Sequence, residues 1–262
     1  MSGGTWPGIT VVTPSFNQGA YIEATLRSVL DQNYPNLEYI VLDGGSSDES
    51  VRVIERYAPR LTYWHSRPDR GQSDAIATGF DMATGDILCW LNSDDILLPG
   101  SLQHVARIFR DSPRTKFVYG NRHVIDAQGQ VIGSHRWPHL LHRYHWALGQ
   151  PLAQECAFWR RSLYEEVGGL DRSRFFIMDW DLFYRMWKVT RLRKTSRFLG
   201  CIRIHEETKN TRHQDTRERE LREAHARYGV TQPGRIIRAL MNRADKLQLW
   251  LETRRERRHG TA

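Results

Sequence analysis

The first 110 residues alternate between short runs of β-branched, aromatic and other apolar residues and longer segments with helical periodicity. The runs typical of strands are 9–13, 37–42, 61–64 and 87–91, and the segments typical of helices are 20–30, 49–57, 71–83 and 99–110. Strands that alternate with helices in this way form right-handed βαβ units around a parallel sheet. The sequence therefore predicts an α/β fold in which a mostly parallel mixed sheet is flanked by helices.

Polar clusters follow three of these four strands. The cluster at 13–17 reads TPSFN, the cluster at 43–48 reads DGGSSD and the cluster at 92–95 reads NSDD. Ligands of such sheets bind at the edge where the strands end. The three clusters therefore predict one shared pocket, which we interpret as a candidate nucleotide site.

The rest of the chain is less regular. We expect strands at 116–121, 130–134, 157–160 and 198–204, and helices at 162–167, 179–189, 217–228 and 235–255. The stretch 135–150 is rich in His and Trp and fits neither period, so it has no assignment.

Composition excludes several classes of protein. With 40% hydrophobic and 26% charged residues, the 262-residue chain has ordinary globular composition. No apolar run approaches the ~20 residues that cross a bilayer, and no signal peptide is visible at the start. The three widely spaced cysteines form neither a disulfide framework nor a zinc cluster. These features predict a cytoplasmic protein, with peripheral contact at the inner face of the membrane as an open alternative.

Seven short motifs occur in order along the chain. They are ITVVTPSFN (9–17), LDGGSSD (42–48), PDRGQSDAIATG (68–79), ATGDILCWLNSDDILLP (83–99), VGGLD (167–171), DWDL (179–182) with Arg185, and His205. Together they resemble the family 2 glycosyltransferases, enzymes of the GT-A fold. The resemblance covers about residues 8–210. It implies a Rossmann-like GT-A domain over 1–211, with a nucleotide-binding half at about 8–100 and an acceptor-side half at about 101–211.

The resemblance implies an inverting transfer of a sugar from a nucleotide-diphosphate donor, with a UDP-sugar favoured, to an acceptor hydroxyl. The acceptor would be a glycan or a lipid-linked molecule in polysaccharide or glycolipid assembly. One alternative is a catalytically inactive sugar-nucleotide-binding or scaffold subunit of the same fold. A sugar-nucleotide pyrophosphorylase is less favoured, because PSFN stands at 14–17 where a Gly-rich, Arg-containing loop is expected. A dinucleotide oxidoreductase would need a G-x-G-x-x-G motif, which is missing.

A divalent metal, Mn²⁺ or Mg²⁺, is implied by the same resemblance, with Asp94, Asp95 and His205 as its ligands. Such an ion prefers oxygen ligands and stabilises the charge that develops on a leaving diphosphate. The family usually has an acid where this chain has Asn92, and this departure affects the expected ribose contact more than the metal. Alternatively, residues 92–95 cap the next helix and His205 is an ordinary polar residue.

Donor contacts are also implied. Asp43 would accept hydrogen bonds from the base, with Thr13 and Ser15 beside base and ribose. Arg70 and Asp74 would face the diphosphate and the sugar, because a guanidinium can pair with two phosphate oxygens. Alternatively, Asp43 shapes its own turn, and Arg70 and Asp74 form ordinary surface ion pairs. The donor-side residues are Thr13, Pro14, Ser15, Asn17, Asp43, Arg70, Asp74, Asn92 and Ser93.

The general base is expected on the helix at 179–189. A carboxylate within hydrogen-bond reach can take the proton of an acceptor hydroxyl. Two residues apart on a helix means roughly opposite faces, so only one of Asp179 and Asp181 can face the pocket. By resemblance, Asp179 is the base and Asp181 its structural partner on the acceptor side, where Trp180 lines the site. Met178 replaces the acid that usually opens this motif; alternatively, Asp179 only caps the helix.

The segment 212–262 is predicted to be a basic, amphipathic helical tail. It holds 13 of the 38 basic residues but only 7 of the 30 acidic ones, so the rest of the chain is nearly neutral. A basic amphipathic helix can lie on an anionic membrane surface. Alternatively, the tail packs on the body or on a second copy of the chain. Charge alone would permit nucleic-acid binding, but no recognition motif supports it.

Overall fold

The computed structural model describes residues 5–137, 143–149, 152–206 and 214–259. The strands are β1 (Ile9–Ser15), β2 (Leu37–Asp43), β3 (Tyr63–Ser66), β4 (Ile87–Trp90), β5 (Ile96–Leu97), β6 (Phe117–Ile125), β7 (Val131–His135), β8 (Ala157–Arg160) and β9 (Arg193–Arg203). The α-helices are α1 (Ile22–Leu30), α2 (Ser50–Tyr57), α3 (Gln72–Met82), α4 (Ser101–Asp111), α5 (Arg143–Leu148), α6 (Arg161–Glu166), α7 (Met178–Val189), α8 (Gln214–Tyr228) and α9 (Arg235–His259).

These elements confirm the predicted strands and helices, with small shifts at their ends. The largest difference is β9, which begins at Arg193 although the sequence predicts a strand only from residue 198. Charged and polar residues fill 193–197, and this hides the usual apolar alternation of a strand. Helix α5 lies in the stretch that had no assignment.

One sheet contains the strands of the described residues, in the order β3-β2-β1-β4-β8-β6-β9-β5, with β7 paired to β6. The first four strands are parallel, whereas β8 runs antiparallel to both β4 and β6. The predicted α/β fold with a mixed sheet flanked by helices is therefore confirmed, but only four of the eight strand pairs among the described residues are parallel, so the sheet is less parallel than the sequence predicts. In the register, Ser15 lies opposite Asp43 and Asp43 opposite Ser66, so the polar ends of β1, β2 and β3 meet at one edge.

Both faces of the sheet are covered by buried side chains. Val12 lies in a core cluster with α3 and α7 residues, and its neighbour Val11 lies in a second cluster with residues of α1 and α4. Helix α3 approaches β1 very closely, because a methyl group on Gly79 would lie 2.5 Å from Val12 Cγ1. Only glycine fits there, so Gly79 allows the C-terminal half of α3 to pack directly on β1.

The two C-terminal helices differ in their packing. In α8, Ala224 is fully buried, and Leu221 and Tyr228 pack on the core cluster that contains α7. Helix α9 exposes most of its described side chains. The predicted domain boundary at residue 211 falls in 207–213, outside the described residues. Among the helices of the described ranges, none is long and apolar enough to cross a membrane.

Candidate active site

A large cavity of about 910 Å³ opens at the polar edge of the sheet. Its lining joins the strand ends of the first hundred residues to α7 and α8. After the roles that the sequence analysis predicts, we call residues 13–17, 43–48 and 92–95 the donor edge, and residues 175–181 with Arg217 and Leu221 the acceptor wall. Predicted site residues that line the cavity are Pro14, Ser15, Asn92, Ser93, Asp94, Asp95, Asp179 and Trp180.

The first two loops of the donor edge are tied together by hydrogen bonds. Ser47 donates its backbone N–H to Asn17 Oδ1 (2.9 Å), and Asn17 donates its own N–H to Ser46 Oγ (2.8 Å). Asn17 adopts a positive φ of 51°, a conformation that asparagine tolerates better than most residues. Asn17 therefore shapes the rim of the cavity and holds two loops in register.

Asp43 is fully buried and is bound by its own surroundings. Its carboxylate accepts hydrogen bonds from the N–H groups of Gly45 (3.1 Å) and Ser46 (2.8 Å). The Ser46 hydroxyl (2.6 Å) and the Ser66 hydroxyl (2.7 Å) donate two more. In this structure, Asp43 stabilises the loop 43–48 through these hydrogen bonds and does not line the cavity.

Thr13 and Ser15 lie two residues apart in β1 but have different surroundings. Thr13 is buried, and its Oγ1 lies 3.0 Å from the hydroxyl of Tyr39. Ser15 lines the cavity, and its buried Oγ has no hydrogen-bond partner among the described residues. Buried hydroxyls are normally satisfied, so this oxygen is free to bond a ligand in the cavity.

Arg70 and Asp74 pair with each other at the start of α3. Arg70 Nη2 lies 2.8 Å from Asp74 Oδ1, and Arg172 Nη1 lies 2.6 Å from the same oxygen. Hydrogen bonds from Arg70 and Arg172 lower the pKa of Asp74 to about 2. Arg172 also contacts Asp81, so this cluster joins α3 to the loop before α7. Neither Arg70 nor Asp74 is among the described residues that line the cavity.

The third loop of the donor edge is anchored through Asn92. Its Nδ2 donates to Asp95 Oδ2 (3.2 Å) and to Gln154 Oε1 (3.3 Å), and its Oδ1 accepts from Gln72 Nε2 (2.8 Å). Gln154 continues the network to the carbonyl of Trp90 at the end of β4 (2.6 Å). An amide at position 92 can both donate and accept, so it joins α3, β4 and the acidic turn in a way that a carboxylate could not.

Asp94 and Asp95 have different environments. His205 Nε2 lies 3.1 Å from Asp94 Oδ2 beside the cavity. Asp95 is buried, and its Oδ1 accepts the backbone N–H of Arg203 (3.0 Å). Burial and the nearby carboxylates of Asp94 and Glu155 raise the pKa of Asp95 well above its usual range.

The donor set near Asp94 suits a hard divalent ion only in part. A carboxylate oxygen and an imidazole nitrogen 3.1 Å apart can act as two adjacent ligands. Within the described ranges no group of three or more His, Cys, Asp or Glu side chains is arranged to hold a metal. Magnesium-type sites often rely on one or two protein ligands, with phosphate and water completing the shell. The residues present therefore fit a metal that is shared with a bound diphosphate.

On the acceptor wall, Asp179 and Asp181 point to different sides of α7. Asp179 is half-buried and lines the cavity, and its Oδ1 accepts the N–H of Trp180 (2.7 Å). Asp181 is buried and pairs with Arg185 (2.8 Å). Its Oδ1 also accepts a hydrogen bond from the hydroxyl of Tyr228 in α8 (2.6 Å). Burial and this hydrogen bond together raise the pKa of Tyr228 to about 12.

Trp180 is fixed by contacts on several sides. Its indole N–H donates to the carbonyls of Trp146 (3.0 Å) and Gly149 (3.2 Å), and its ring stacks on Tyr184 at 5.0 Å. The indole therefore forms a rigid part of the wall beside Asp179.

Several residues of this site have no signal in the motifs. The helix that sequence analysis assigned to a tail contributes Arg217 and Leu221 to the cavity lining, and Glu220 to the loop before α7. Arg122 lies 3.6 Å from the buried Glu155, and both line the cavity. These charged residues lie outside the motifs, and the burial of Glu155 and Glu220 becomes visible only in the structure.

The comparison with protein families decides the identity of the fold. The family model described as "Glycosyl transferase family 2" matches residues 10–168, well over half of the chain. This chain belongs to glycosyl transferase family 2. The predicted GT-A fold and the family resemblance are thereby confirmed.

Curated relatives share this assignment. A PGL/p-HBAD biosynthesis glycosyltransferase of Mycobacterium tuberculosis (strain H37Rv) is 28% identical over 183 residues, which are 68% of this chain and 69% of the relative. An uncharacterized glycosyltransferase of Rickettsia prowazekii (strain Madrid E) is 26% identical over 213 residues, which are 78% of this chain and 67% of that protein.

Solved structures share the fold. S. aureus TarS 1-349 in complex with UDP-GlcNAc superposes with a TM-score of 0.67 at 16% identity, over 83% of this chain and 66% of the other. Mannosyltransferase PcManGT from Pyrobaculum calidifontis, in complex with GDP-Man and Mn²⁺, gives 0.62 at 18% identity, over 88% of this chain and 66% of the other. Against another structure of TarS 1-349, this chain spans only 60% of the solved chain.

Proposed function

We propose that this family 2 glycosyltransferase moves a sugar from a nucleotide-diphosphate donor, with a UDP-sugar favoured, to an acceptor hydroxyl. The observation that carries the proposal is that Asp94 and Asp179 line the same cavity of about 910 Å³. A donor bound at the donor edge would present its sugar to the acceptor wall. The likeness to structures holding UDP-GlcNAc and GDP-Man supports this class of donor.

The donor edge would bind the nucleotide through Pro14, Ser15, Ser93 and Asp94. The unpartnered Ser15 Oγ supports a direct contact with ribose or base. For Thr13, Asn17, Asp43 and Asn92, we propose that they hold these loops in place, because their polar groups already bond neighbouring residues. The predicted donor residues Arg70 and Asp74 would act at the entrance, since opening of their ion pair frees a guanidinium for phosphate.

Asp94 and His205 would hold a divalent metal ion, Mn²⁺ or Mg²⁺, together with the donor diphosphate. When bound, such an ion supplies Lewis-acid stabilisation of the leaving diphosphate. Asp95 would hold the turn that carries Asp94 in place, because its carboxylate already accepts hydrogen bonds from Asn92 and Arg203.

Asp179 would act as the general base. Its carboxylate would accept the proton of the acceptor hydroxyl as the new glycosidic bond forms and the bond to the diphosphate breaks. A single displacement of this kind inverts the anomeric carbon. Asp181 would hold α7 in place, and Trp180 would line the acceptor site.

The acceptor would be a glycan or a lipid-linked molecule, and α9 would bring the enzyme to an anionic lipid surface. Apolar side chains of α9 that are 39% to 78% exposed recur at helical spacing. Asp245 lies away from them, bonded to His145 of the body at 3.1 Å. The exposed apolar set is Ile236, Ile237, Leu240, Leu247, Trp250 and Leu251.

Charge supports a lipid surface rather than a second copy as the partner of this stripe. On a helix of 3.6 residues per turn, Arg243 and Arg254 share the face of Ile236 and Leu247. Cations interspersed with apolar residues fit an anionic headgroup layer, whereas two such faces would repel each other.

Sedimentation with vesicles tests the lipid contact. We expect binding to vesicles with phosphatidylglycerol, weak binding to pure phosphatidylcholine, and loss of binding in Leu247→Glu/Trp250→Glu. Asn242→Glu adds a negative charge on another face and should still bind. A dimer that the double variant dissociates, without lipid binding by the parent chain, would show that a second copy covers the stripe.

Turnover tests the transfer itself. The purified chain is incubated with Mn²⁺ and UDP-glucose, UDP-GlcNAc, GDP-mannose or dTDP-rhamnose, with and without a lipid extract. We expect nucleoside diphosphate release from one donor class, faster with acceptor, and a product of inverted anomeric configuration by NMR. A folded protein that binds donors but never releases diphosphate would support the inactive-subunit alternative, and retained configuration would exclude a single displacement.

A further inference from the structure

Helix α8 contributes a buried carboxylate to the backbone that leads into the proposed catalytic helix. Glu220 is only 6% exposed. Its Oε1 accepts the N–H of Phe175 (2.9 Å). Its Oε2 accepts the N–H groups of Phe176 (2.9 Å) and Ile177 (3.1 Å). One side chain from residue 220 therefore binds three successive amides more than 40 residues away in sequence.

These amides lie just before α7, which has no cap of its own. Ile177 is the N-cap residue of α7 and makes no side-chain capping hydrogen bond. The first amides of a helix need acceptors, and a negative charge near them is favourable because of the helix dipole. Glu220, from another helix, places a negative charge at this end of α7 and binds the amides of the N-cap residue Ile177 and of the two residues before it.

The charge of Glu220 has no competing partner in the described chain. The nearby Arg174 pairs with Asp171 (3.5 Å) and with Glu223 (3.2 Å) instead. A buried carboxylate that accepts only amides is strongly directional, because moving the loop leaves the charge unsatisfied. The loop is therefore held by geometry rather than by packing alone.

The held segment forms the cavity wall next to the proposed base. Phe175, Phe176, Ile177 and Met178 line the cavity together with Asp179. Asp179 follows the last of the three bonded amides by two residues, in the first turn of α7. A shift of the loop would therefore move the carboxylate relative to the donor edge.

We infer that Glu220 is a positioning residue, which fixes the loop 175–177 so that the Asp179 carboxylate faces the reacting hydroxyl. The inference rests on the proposed role of Asp179 as base. It makes α8 part of the catalytic apparatus, although the motifs of the family end before this helix. Misplacement of a catalytic group by about 1 Å can cost about 100-fold in rate.

Three variants test the inference. Glu220→Gln keeps the size of the side chain but removes its charge and replaces one of the two acceptor oxygens with an NH₂ donor. Glu220→Asp keeps the charge and both oxygens. Glu223→Gln is the matched control, because Glu223 lies on the same helix and contacts the same loop through Arg174, at the exposed surface.

The readouts are kcat and KM for nucleoside diphosphate release from the donor that the parent chain uses, and Kd for that nucleotide. In Glu220→Gln we expect kcat to fall by about 10- to 100-fold, with KM and Kd within about twofold. Glu220→Asp should recover part of the loss, and the control should match the parent. If Glu220→Gln is folded and keeps its kcat, or if kcat and nucleotide Kd worsen together, the inference is overturned.

Hydrogen–deuterium exchange keeps the inference testable even where turnover is slow. The amides of 175–177 should be protected in the parent chain and exchange at least tenfold faster in Glu220→Gln, while the amides beyond residue 182 stay unchanged. Equal exchange in both proteins would contradict the inference. Asp179→Asn separates the two ideas: if it retains turnover, the base assignment is wrong, whatever Glu220 does.

Discussion

The donor edge and the acceptor wall face each other across one cavity, but they are built in different ways. The donor edge comes from the ends of β1, β2 and β4, and its first two loops are tied by short links, from the Asn17 N–H to the Ser46 hydroxyl and from the Ser47 N–H to the Asn17 side chain. The acceptor wall gathers α7, the loop before it and α8, which lie far apart in sequence. Local motifs can therefore specify the proposed nucleotide pocket, whereas the proposed acceptor pocket depends on tertiary contacts between distant segments.

The largest expected effect separates the functions of the two regions. Asp179→Asn removes the proposed base from the acceptor wall and leaves the donor edge intact. We expect kcat to fall by about 10²–10⁴-fold, the usual contribution of a general base, while the Kd for nucleotide stays the same. Steady-state kinetics and calorimetry measure the two quantities. A parallel loss of nucleotide affinity would mean that the regions are not separable.

The next effect concerns the stability of the acceptor wall. Asp181→Asn leaves Arg185 without its buried partner and weakens the contact with Tyr228. Breaking a buried pair costs about 3 kcal/mol, so we expect the free energy of unfolding in urea to fall by about that amount. Ser47→Ala is the control in the donor edge, since its hydroxyl makes no hydrogen bond among the described contacts. An unchanged unfolding curve for the Asp181 variant would contradict this assignment.

A smaller, pH-dependent effect belongs to the junction between the two regions. The pKa of Asp74 is about 2 in the folded chain, held down by Arg70 and Arg172, and about 3.9 in an unfolded chain. A lowered folded pKa means that the ion pairs add stability above about pH 4 and lose it as the pH falls towards 2. Because Arg70 is largely exposed, solvent screening keeps this gain in stability small.

Urea unfolding of the parent chain and of Asp74→Asn at pH 7, 4 and 2.5 measures this effect. The difference in unfolding free energy should be greatest at pH 7 and should nearly vanish at the lowest pH. A difference that stays constant with pH would mean that Asp74 stabilises the fold by packing alone.

The smallest effect lies within the donor edge. Asn17→Ala removes the acceptor of the Ser47 amide and places alanine at a φ of 51°. We expect a loss of at most about 1 kcal/mol in stability. Asn17→Gly permits the positive φ and so isolates the lost hydrogen bond. If the glycine variant is as unstable as the alanine variant, backbone strain contributes nothing at this position.

Sequence reasoning predicted the βα units and the loops at their ends because both follow from local periodicity and turn chemistry. Ser15 and Asp94 lie at the ends of β1 and β4 and line the cavity as predicted, and Asp179, which was predicted from the family resemblance, lines it as well. The burial of Asp43 could not be predicted, because it depends on Ser66 from the neighbouring strand. Glu220 had no signal at all, since its partners are backbone amides that every residue type possesses.

The central claim is that the donor edge binds a nucleotide diphosphate through a metal held at Asp94. Calorimetric titration of UDP, GDP and dTDP into the parent chain and Asp94→Asn, each with Mn²⁺ and with EDTA, tests it most directly. We predict that one nucleotide binds the parent chain only with Mn²⁺, and that Asp94→Asn loses this metal-dependent affinity while it remains folded. Binding that is equally tight in EDTA, or unchanged in the variant, would contradict the claim.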